Sequence, residues 1–433
     1  MTNKTNAKLY LIFSFIMYRL FIDYSYFNFI SVKFGYYGFK DYRTTFSFFF
    51  SWFILLLFAI IMTRITKYKI TLSSIIVSVV SFMSITPFTT LIYANILDSN
   101  YIILTIIYWL VLLFFFLFIN RKDPKKINFK FNNYNIDDSF ALIIGISSIL
   151  LVLFISWKYT GLRINFNLDA VYELRNESRT YNLPAIVQRL FFWSRSINIL
   201  LLTYYIYKKK YPLAFLFFIS QILSFGIDGL KTTLFTTILT IIMCFVFTEK
   251  LQEKAYNYIL YGITSITVLG ILENVILKSS AIIDIVIRRM MIVPVYLSSC
   301  YVRFFSYNQP DYFRRSIFKI FGIDSQYNDL EFTIGEVFFN KPLMRCNNGL
   351  ISEAITNFGT IGVIIGPILL ILVLRFMDRC TYGLNKKIII VMGVYFGLRL
   401  LDTFLSVGMI SHGFFITIIM MMMLRNKREN KND

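Results

Sequence analysis

Three groups of basic residues in this sequence could hold an anion. Arg175 and Arg179 lie on VYELRNESRTY, Lys231 follows Asp228 in IDGLKTTLF, and Arg288, Arg289 and Arg303 lie on RRMMIVPVYLSSCYVRFF. A guanidinium is a planar fork that takes phosphate oxygens in pairs, so these groups suit a diphosphate and need no metal to hold it. The same arginines could instead do no more than contact anionic lipid headgroups. No metal or other cofactor is expected, because Cys244, Cys300, Cys346 and Cys380 have no ligand-like spacing and His412 is the single histidine. His412, in the turn SHG, could act as a base near neutral pH or simply end a helix. Cys300 and Cys346 could bridge in an oxidising compartment, provided that their Cα atoms come close enough.

The elements that carry these groups follow from composition. The chain has 433 residues, 57% hydrophobic and 16% charged, where soluble domains run at roughly 45–50% apolar and about 25% charged. That excludes a soluble enzyme, and 47 Phe with 29 Tyr exclude a disordered chain or a nucleic-acid module. The expected class is an all-α polytopic integral membrane protein with the lipid bilayer as partner. Its 44 basic and 24 acidic residues give +20, a charge that on a soluble protein would suggest nucleic acid. Here no nucleic acid is expected, since Lys and Arg gather in the cytoplasmic loops of membrane proteins.

Apolar runs occur at 9–30, 44–62, 70–94, 101–119, 140–157, 185–207, 212–227, 230–247, 256–277, 358–376, 388–405 and 408–424. At ~20 residues per crossing they predict about 12 transmembrane helices. No cleavable signal peptide is evident, so the first run is expected to remain as a helix. Basic runs such as those at 64–69, 121–130, 208–210, 375–387 and the C-terminal tail then fall on one side, which puts both termini in the cytoplasm. No repeat or linker divides the chain, so residues 1–433 are read as one transmembrane domain with extracytoplasmic loops at 158–184 and 278–357. The apolar start of the longer loop is read as an interfacial or re-entrant helix, because another crossing there would carry the basic tail outside.

Charges inside the runs need partners or a wet cavity. Arg19 with Asp23 and Arg399 with Asp402 have the spacing to pair on one helix face. Arg189 and Arg195 have no acidic neighbour on their own helix, and Glu273 is the expected partner. The run 212–227 reaches only about 24 Å of a roughly 30 Å core. The turn after it is therefore expected to sit below the surface, with Asp228 and Lys231 lining a sunken pocket, although a short turn ended by solvated charges is the simpler alternative.

Over roughly its C-terminal two thirds the chain resembles the Wzy-type oligosaccharide repeat-unit polymerases, which make O-antigen or capsular polysaccharide. VYELRNE resembles that family's Tyr-x-x-Arg segment, with Arg175, and FGIDGLKTTLF its Gly-x-Lys turn, with Lys231. RRMMIVPVYLSSCYVRFFS resembles its Arg-x4-Pro segment followed by Tyr, here Arg289, Pro294 and Tyr301. NNGLISEAITNFGTIGVIIG resembles its entry to the next span, with Asn348, Gly349, Glu353, Asn357, Phe358 and Gly359.

The resemblance implies a metal-independent glycosyltransferase at the outer face of the bacterial cytoplasmic (inner) membrane. Donor and acceptor would both be undecaprenyl-diphosphate-linked oligosaccharides, with a chain-length regulator and a flippase as further implied partners. The leaving diphosphate must be stabilised as its charge grows, which Arg and Lys can do. On this reading Arg289 and Glu353 are the catalytic candidates, Glu353 being the first choice of base ahead of Asp284, Asp228 and His412. Glu353 could equally be an acidic residue favoured by a helix N-terminus. Arg175, Arg179, Lys231, Asp228, Arg288, Tyr301, Arg303 and Asn348 are the substrate-binding candidates. The rivals are an O-antigen ligase, whose pattern has a histidine in the long outside loop that is absent here, and a lipid-linked oligosaccharide flippase or transporter, which should show two matching halves.

Overall fold

A computed structural model describes residues 2–125, 127, 138–164, 171–327 and 329–424. The basic tail at 425–433, part of the basic run at 121–130 and part of the loop at 158–184 lie outside the described residues.

The described chain is all-helical, without a strand. We label its main helices α1 (Thr2–Ser25), α2 (Thr45–Ile65), α3 (Leu72–Tyr93), α4 (Ser99–Ile119), α5 (Asp138–Thr160), α6 (Val171–Arg179), α7 (Ala185–Tyr207), α8 (Tyr211–Asp228), α9 (Lys231–Val246) and α10 (Ala255–Leu277). There follow α11 (Ile283–Phe305), α12 (Leu330–Phe339), α13 (Ile351–Thr381), α14 (Lys386–Asp402), α15 (Leu405–Ile410) and α16 (Phe414–Met423). Among the described residues 9 helices are long and apolar enough to cross a membrane. The chain is thus a multi-pass membrane protein.

Local sequence sets the helix ends. Thr44 and Ser47 form a reciprocal capping box at the start of α2, and Thr71 with Ser74 repeats it at α3. α3 is the centre of the bundle, buried from Leu72 to Ile92 without interruption. Its serines and threonines turn hydroxyls back onto the backbone, as Ser78 does to Ser74 O at 2.8 Å and Thr89 to Thr86 O at 2.8 Å, so a polar sequence survives in a buried position.

Small residues let α14 close on α3. Side chains begun at Gly393 and Gly397 would come within 2.7 Å of Ile75 and 2.9 Å of Val79. Helix association in lipid depends on such close packing, since burial from water does not drive it. Gly397→Leu is expected to cost about 1–3 kcal/mol by overpacking. The check is a lowered midpoint of thermal unfolding in detergent, with Ile364→Leu on the exposed face as the control that should not move.

The loops separate into two ends of the bundle. At one end Lys69 pairs with Asp123 at 2.6 Å, Arg375 donates to Asn120 Oδ1 at 2.8 Å, and buried Asp378 accepts from Ser73 N at 2.8 Å and Ser73 Oγ at 2.5 Å. At the other end, here called the loop face, Ser47 Oγ donates to Tyr93 O at 2.9 Å and Arg303 lies 3.3 Å from Asp98.

Both ends of α11 meet the loop face. Lys33, beyond α1, donates to Ser280 Oγ at 3.1 Å just before the helix, and Arg303 at its far end pairs with Asp98 at the start of α4. Between them Tyr101 donates to Val295 O at 2.8 Å. Despite its length, α11 enters and leaves on one side, as an interfacial or re-entrant helix does.

Two expectations are corrected. Glu273 does not pair with Arg189 or Arg195. It accepts from Ala281 N at 3.2 Å and Ile282 N at 2.8 Å, capping the approach to α11, while Arg189 is exposed near the start of α7 and needs no buried partner. The run 408–424 is not one helix either. It is split between α15 and α16 at Ser411–Gly413, with Gly413 at φ +78°.

Candidate functional site

The split helix lines a small, partly open cavity of about 20 Å³. Its walls are Phe192 and Arg195 of α7, Gln221 of α8, Thr232 and Thr233 of α9, Tyr395 and Arg399 of α14, and His412 at the break. Two intramembrane arginines from helices far apart in sequence therefore face one space.

Arg195 lies about 15 Å along α7 from its first residue at 1.5 Å per residue. Its guanidinium nonetheless reaches Asp228 Oδ2 at 2.5 Å and packs over the ring of Phe191 at 4.6 Å. The α8–α9 turn must therefore sit below the loop-face end of α7, and Asp228, not Glu273, is the partner of Arg195. Gln221 holds the neighbouring backbone by donating to Arg195 O at 2.7 Å. Arg399 lies 3.6 Å from Asp402 and 3.4 Å from Thr232 Oγ1.

The break is held open by α7. Trp193 Nε1 donates to Ile410 O at 2.8 Å and Ser196 Oγ to His412 O at 2.6 Å, so carbonyls that lost their helical partners are satisfied by protein. Irregular backbone within a membrane protein is tolerated where it is buried in protein or lines a cavity. Gly413 is needed twice over: its φ is left-handed, and a side chain there would come 2.9 Å from Trp193 Cα. Gly413→Ala is expected to cost at least the ~1–2 kcal/mol of the left-handed backbone. Limited proteolysis at the loop face should read this as faster cleavage near residue 412, against an unchanged rate for Gly262→Ala, where nothing lies within 4 Å.

What the cavity can hold follows from its unpaired groups. Arg195 Nε, Gln221 Oε1 and Thr233 Oγ1 are buried with no hydrogen-bond partner among the described residues. Buried polar atoms are rarely left so; the Arg195 Nε–H and the Thr233 hydroxyl are donors that suit an oxyanion, whereas the Gln221 oxygen accepts and suits a hydroxyl beside it. The first turn of α9 adds to this, since Thr232 and Thr233 line the cavity and a helix N-terminus favours negative charge.

The loop helix α6 lies against the same turn. A side chain at Gly229 would meet Leu174 and Val171 at 3.0 Å, so α6 carries Arg175, half-buried, and Arg179, exposed, to the α8–α9 turn. Glu177 fixes this helix through Arg163 Nη2 at 2.6 Å, and that guanidinium holds its carboxyl below the usual range. Lys231 is the half-buried first residue of α9. The structure thus brings Arg175, Asp228 and Lys231 to one turn, but Asp228 and Lys231 do not line the cavity as expected; Leu230, Thr232 and Thr233 do, with Arg195, Arg399 and His412.

The remaining predicted residues lie elsewhere. Arg288 pairs with Asp284 at 2.5 Å and sits over the ring of Phe34 at 4.1 Å, Arg289 is 4.0 Å from Asp284, and Arg303 is held at Asp98. Tyr301 donates to Cys346 O at 2.9 Å, and Asn348 donates to Pro294 O at 2.8 Å and Ser352 Oγ at 2.8 Å, so both tie α11 to the segment before α13. Cys300 and Cys346 are free and buried, and burial pushes the Cys346 thiol up to about 12. Glu353 accepts from Leu405 N at 2.5 Å, Ser406 N at 2.9 Å and Ser406 Oγ at 2.7 Å, which makes it the cap of α15. None of these lines the cavity.

Sequence reasoning singled out Arg195, Arg399 and His412 one at a time and did not join them. The available signals were an arginine without a local acid and a Ser-His-Gly inside an apolar run. No family model matches the chain, and no curated protein or solved structure matches it either.

Proposed function

We propose that the protein is a membrane glycosyltransferase that joins undecaprenyl-diphosphate-linked oligosaccharide repeat units into a polysaccharide at the outer face of the bacterial cytoplasmic membrane, both termini being cytoplasmic. The observation that carries this reading is the small cavity between Arg195 and Arg399, with unpaired Arg195 Nε and the first turn of α9 in its wall. Such a site suits the diphosphate of a lipid-linked donor.

In this reading the glycosidic bond to the diphosphate breaks as an acceptor sugar hydroxyl attacks. Negative charge grows on the departing phosphate oxygen, and preorganised donors aimed at that oxygen lower the barrier. Arg195 and Arg399 supply the fixed donors. Arg175 and Lys231 add positive charge at the neighbouring α8–α9 turn. His412 lines the same space, its ring packed against that of Phe192.

The test is purified protein with a synthetic undecaprenyl-diphosphate repeat unit, no nucleotide sugar and excess chelator, read by mass analysis. A ladder of whole repeat units is expected. Unchanged substrate beside an active control polymerase overturns the reading, and transfer to lipid A core or movement across proteoliposomes would then assign ligase or flippase.

A further inference from the structure

The long loop carries a surface that the candidate site does not use. After α11 the chain reverses at Tyr312 and Phe313, whose φ values of +53° and +63° put two successive non-glycine residues in the left-handed region. Such a corner persists only where its surroundings fix it. Here Asp311 N donates to Thr356 O at 2.7 Å, Phe313 N donates to Asn357 Oδ1 at 2.7 Å, and the Phe313 ring meets Phe358 at 5.3 Å. Ser325 Oγ donates to the carboxylate of buried Asp311, and Arg315 Nη2 reaches Glu331 at 2.7 Å, closing the base of the segment.

What this clamp presents outward is apolar and basic. Tyr312, Ile317, Phe318, Phe321 and Ile323 are exposed, Phe321 at 73%, and Arg314 and Lys319 are exposed among them. The clamp also fixes where this surface lies. Thr356, Asn357 and Phe358 immediately precede the membrane-crossing part of α13, whose Ile361 and Ile364 are exposed on the bundle's outside. The clamp thus holds Asp311 and Phe313, from which this surface extends, against the residues where that helix begins.

We infer that residues 312–323 form an interfacial foot that rests in the anionic headgroup layer at the loop face, with Phe318, Phe321 and Ile323 in the acyl boundary and Arg314 and Lys319 on lipid phosphates. Apolar side chains interleaved with basic ones are the pattern of segments that lie in the interface plane, and aliphatic Ile317 and Ile323 suit acyl chains better than sugar faces. The foot fixes the height of the loop that connects α11 to α13. The inference uses the multi-pass character of the chain and does not depend on what the enzyme transfers.

The test is a spin label at Phe321→Cys in the full chain, reconstituted in nanodiscs of phosphatidylcholine or of phosphatidylcholine with phosphatidylglycerol. The four native cysteines are buried and stay in place. Oxygen accessibility is expected to exceed that of a nickel chelate, as it should at a reference label on Ile364→Cys, with the label moving deeper in the anionic discs. Arg314→Glu with Lys319→Glu should remove that deepening. A label at Ile323→Cys repeats the measurement should Phe321→Cys fold poorly. A label that favours nickel in both discs overturns the inference. So does one that is shielded only in the presence of a second copy, read as spin–spin broadening, or only on addition of lipid-linked oligosaccharide.

Discussion

Arg195→Ala and Arg399→Ala are each expected to lower polymer formation by about 10²–10³-fold, the loss seen when one preorganised oxyanion donor is removed. The two arginines reach the cavity from α7 and α14, so no single helix movement replaces either. Arg→Lys at both positions should restore little, because a point charge cannot reproduce a planar fork, which at Arg195 also packs on Phe191. The check is the initial rate of ladder formation, with membrane level and thermal midpoint measured beside it. Removing Arg195 also strips half-buried Asp228 of its ion pair and leaves it the Leu230 N–H at 3.1 Å, so the cost falls below the roughly 3–5 kcal/mol of a fully buried broken pair. The double variant Arg195→Ala with Asp228→Ala separates the two effects. It should regain the thermal midpoint and remain inactive. Recovery of activity in the double variant would remove the oxyanion role and leave Arg195 as a helix tie.

The sequence made most of the helices legible, and for a physical reason. In a membrane the apolar run itself is the element, so run 185–207 and α7 coincide residue for residue. The local pairs were legible too, since Arg19–Asp23 at 2.6 Å and Arg399–Asp402 follow from helical spacing alone. What spacing could not give was pairing between helices. Arg195 and Asp228 are on different helices, and a carboxylate in a run that looks deep, such as Glu273, can be a cap near the end of its helix. The turn SHG was legible from its residues, but the run 408–424 still reads as one span for a related reason. Hydropathy averages over a window and so reads through three residues whose freed carbonyls are satisfied by Trp193 and Ser196.

Glu353 gives the second large effect, and its variants separate a base from a cap. Its carboxylate takes two backbone N–H groups and one hydroxyl at the start of α15, so Glu353→Ala should leave buried donors unpaired at about 1–3 kcal/mol each. Glu353→Gln keeps one oxygen but turns an amide N–H₂ toward an N–H donor, and it should lose part of that amount. The expected order of thermal midpoint is therefore wild type above Gln above Ala. Activity should fall in the same order, because α15 leads directly into the break that carries His412. A cap leaves the pH dependence of the remaining activity in place, since the group that titrates lies elsewhere. A general base behaves in the opposite way: Glu353→Gln would keep the midpoint, abolish turnover and erase the acidic limb of the pH–rate profile. That second outcome would return Glu353 to the chemistry and require the α13–α15 contact to open when substrate binds.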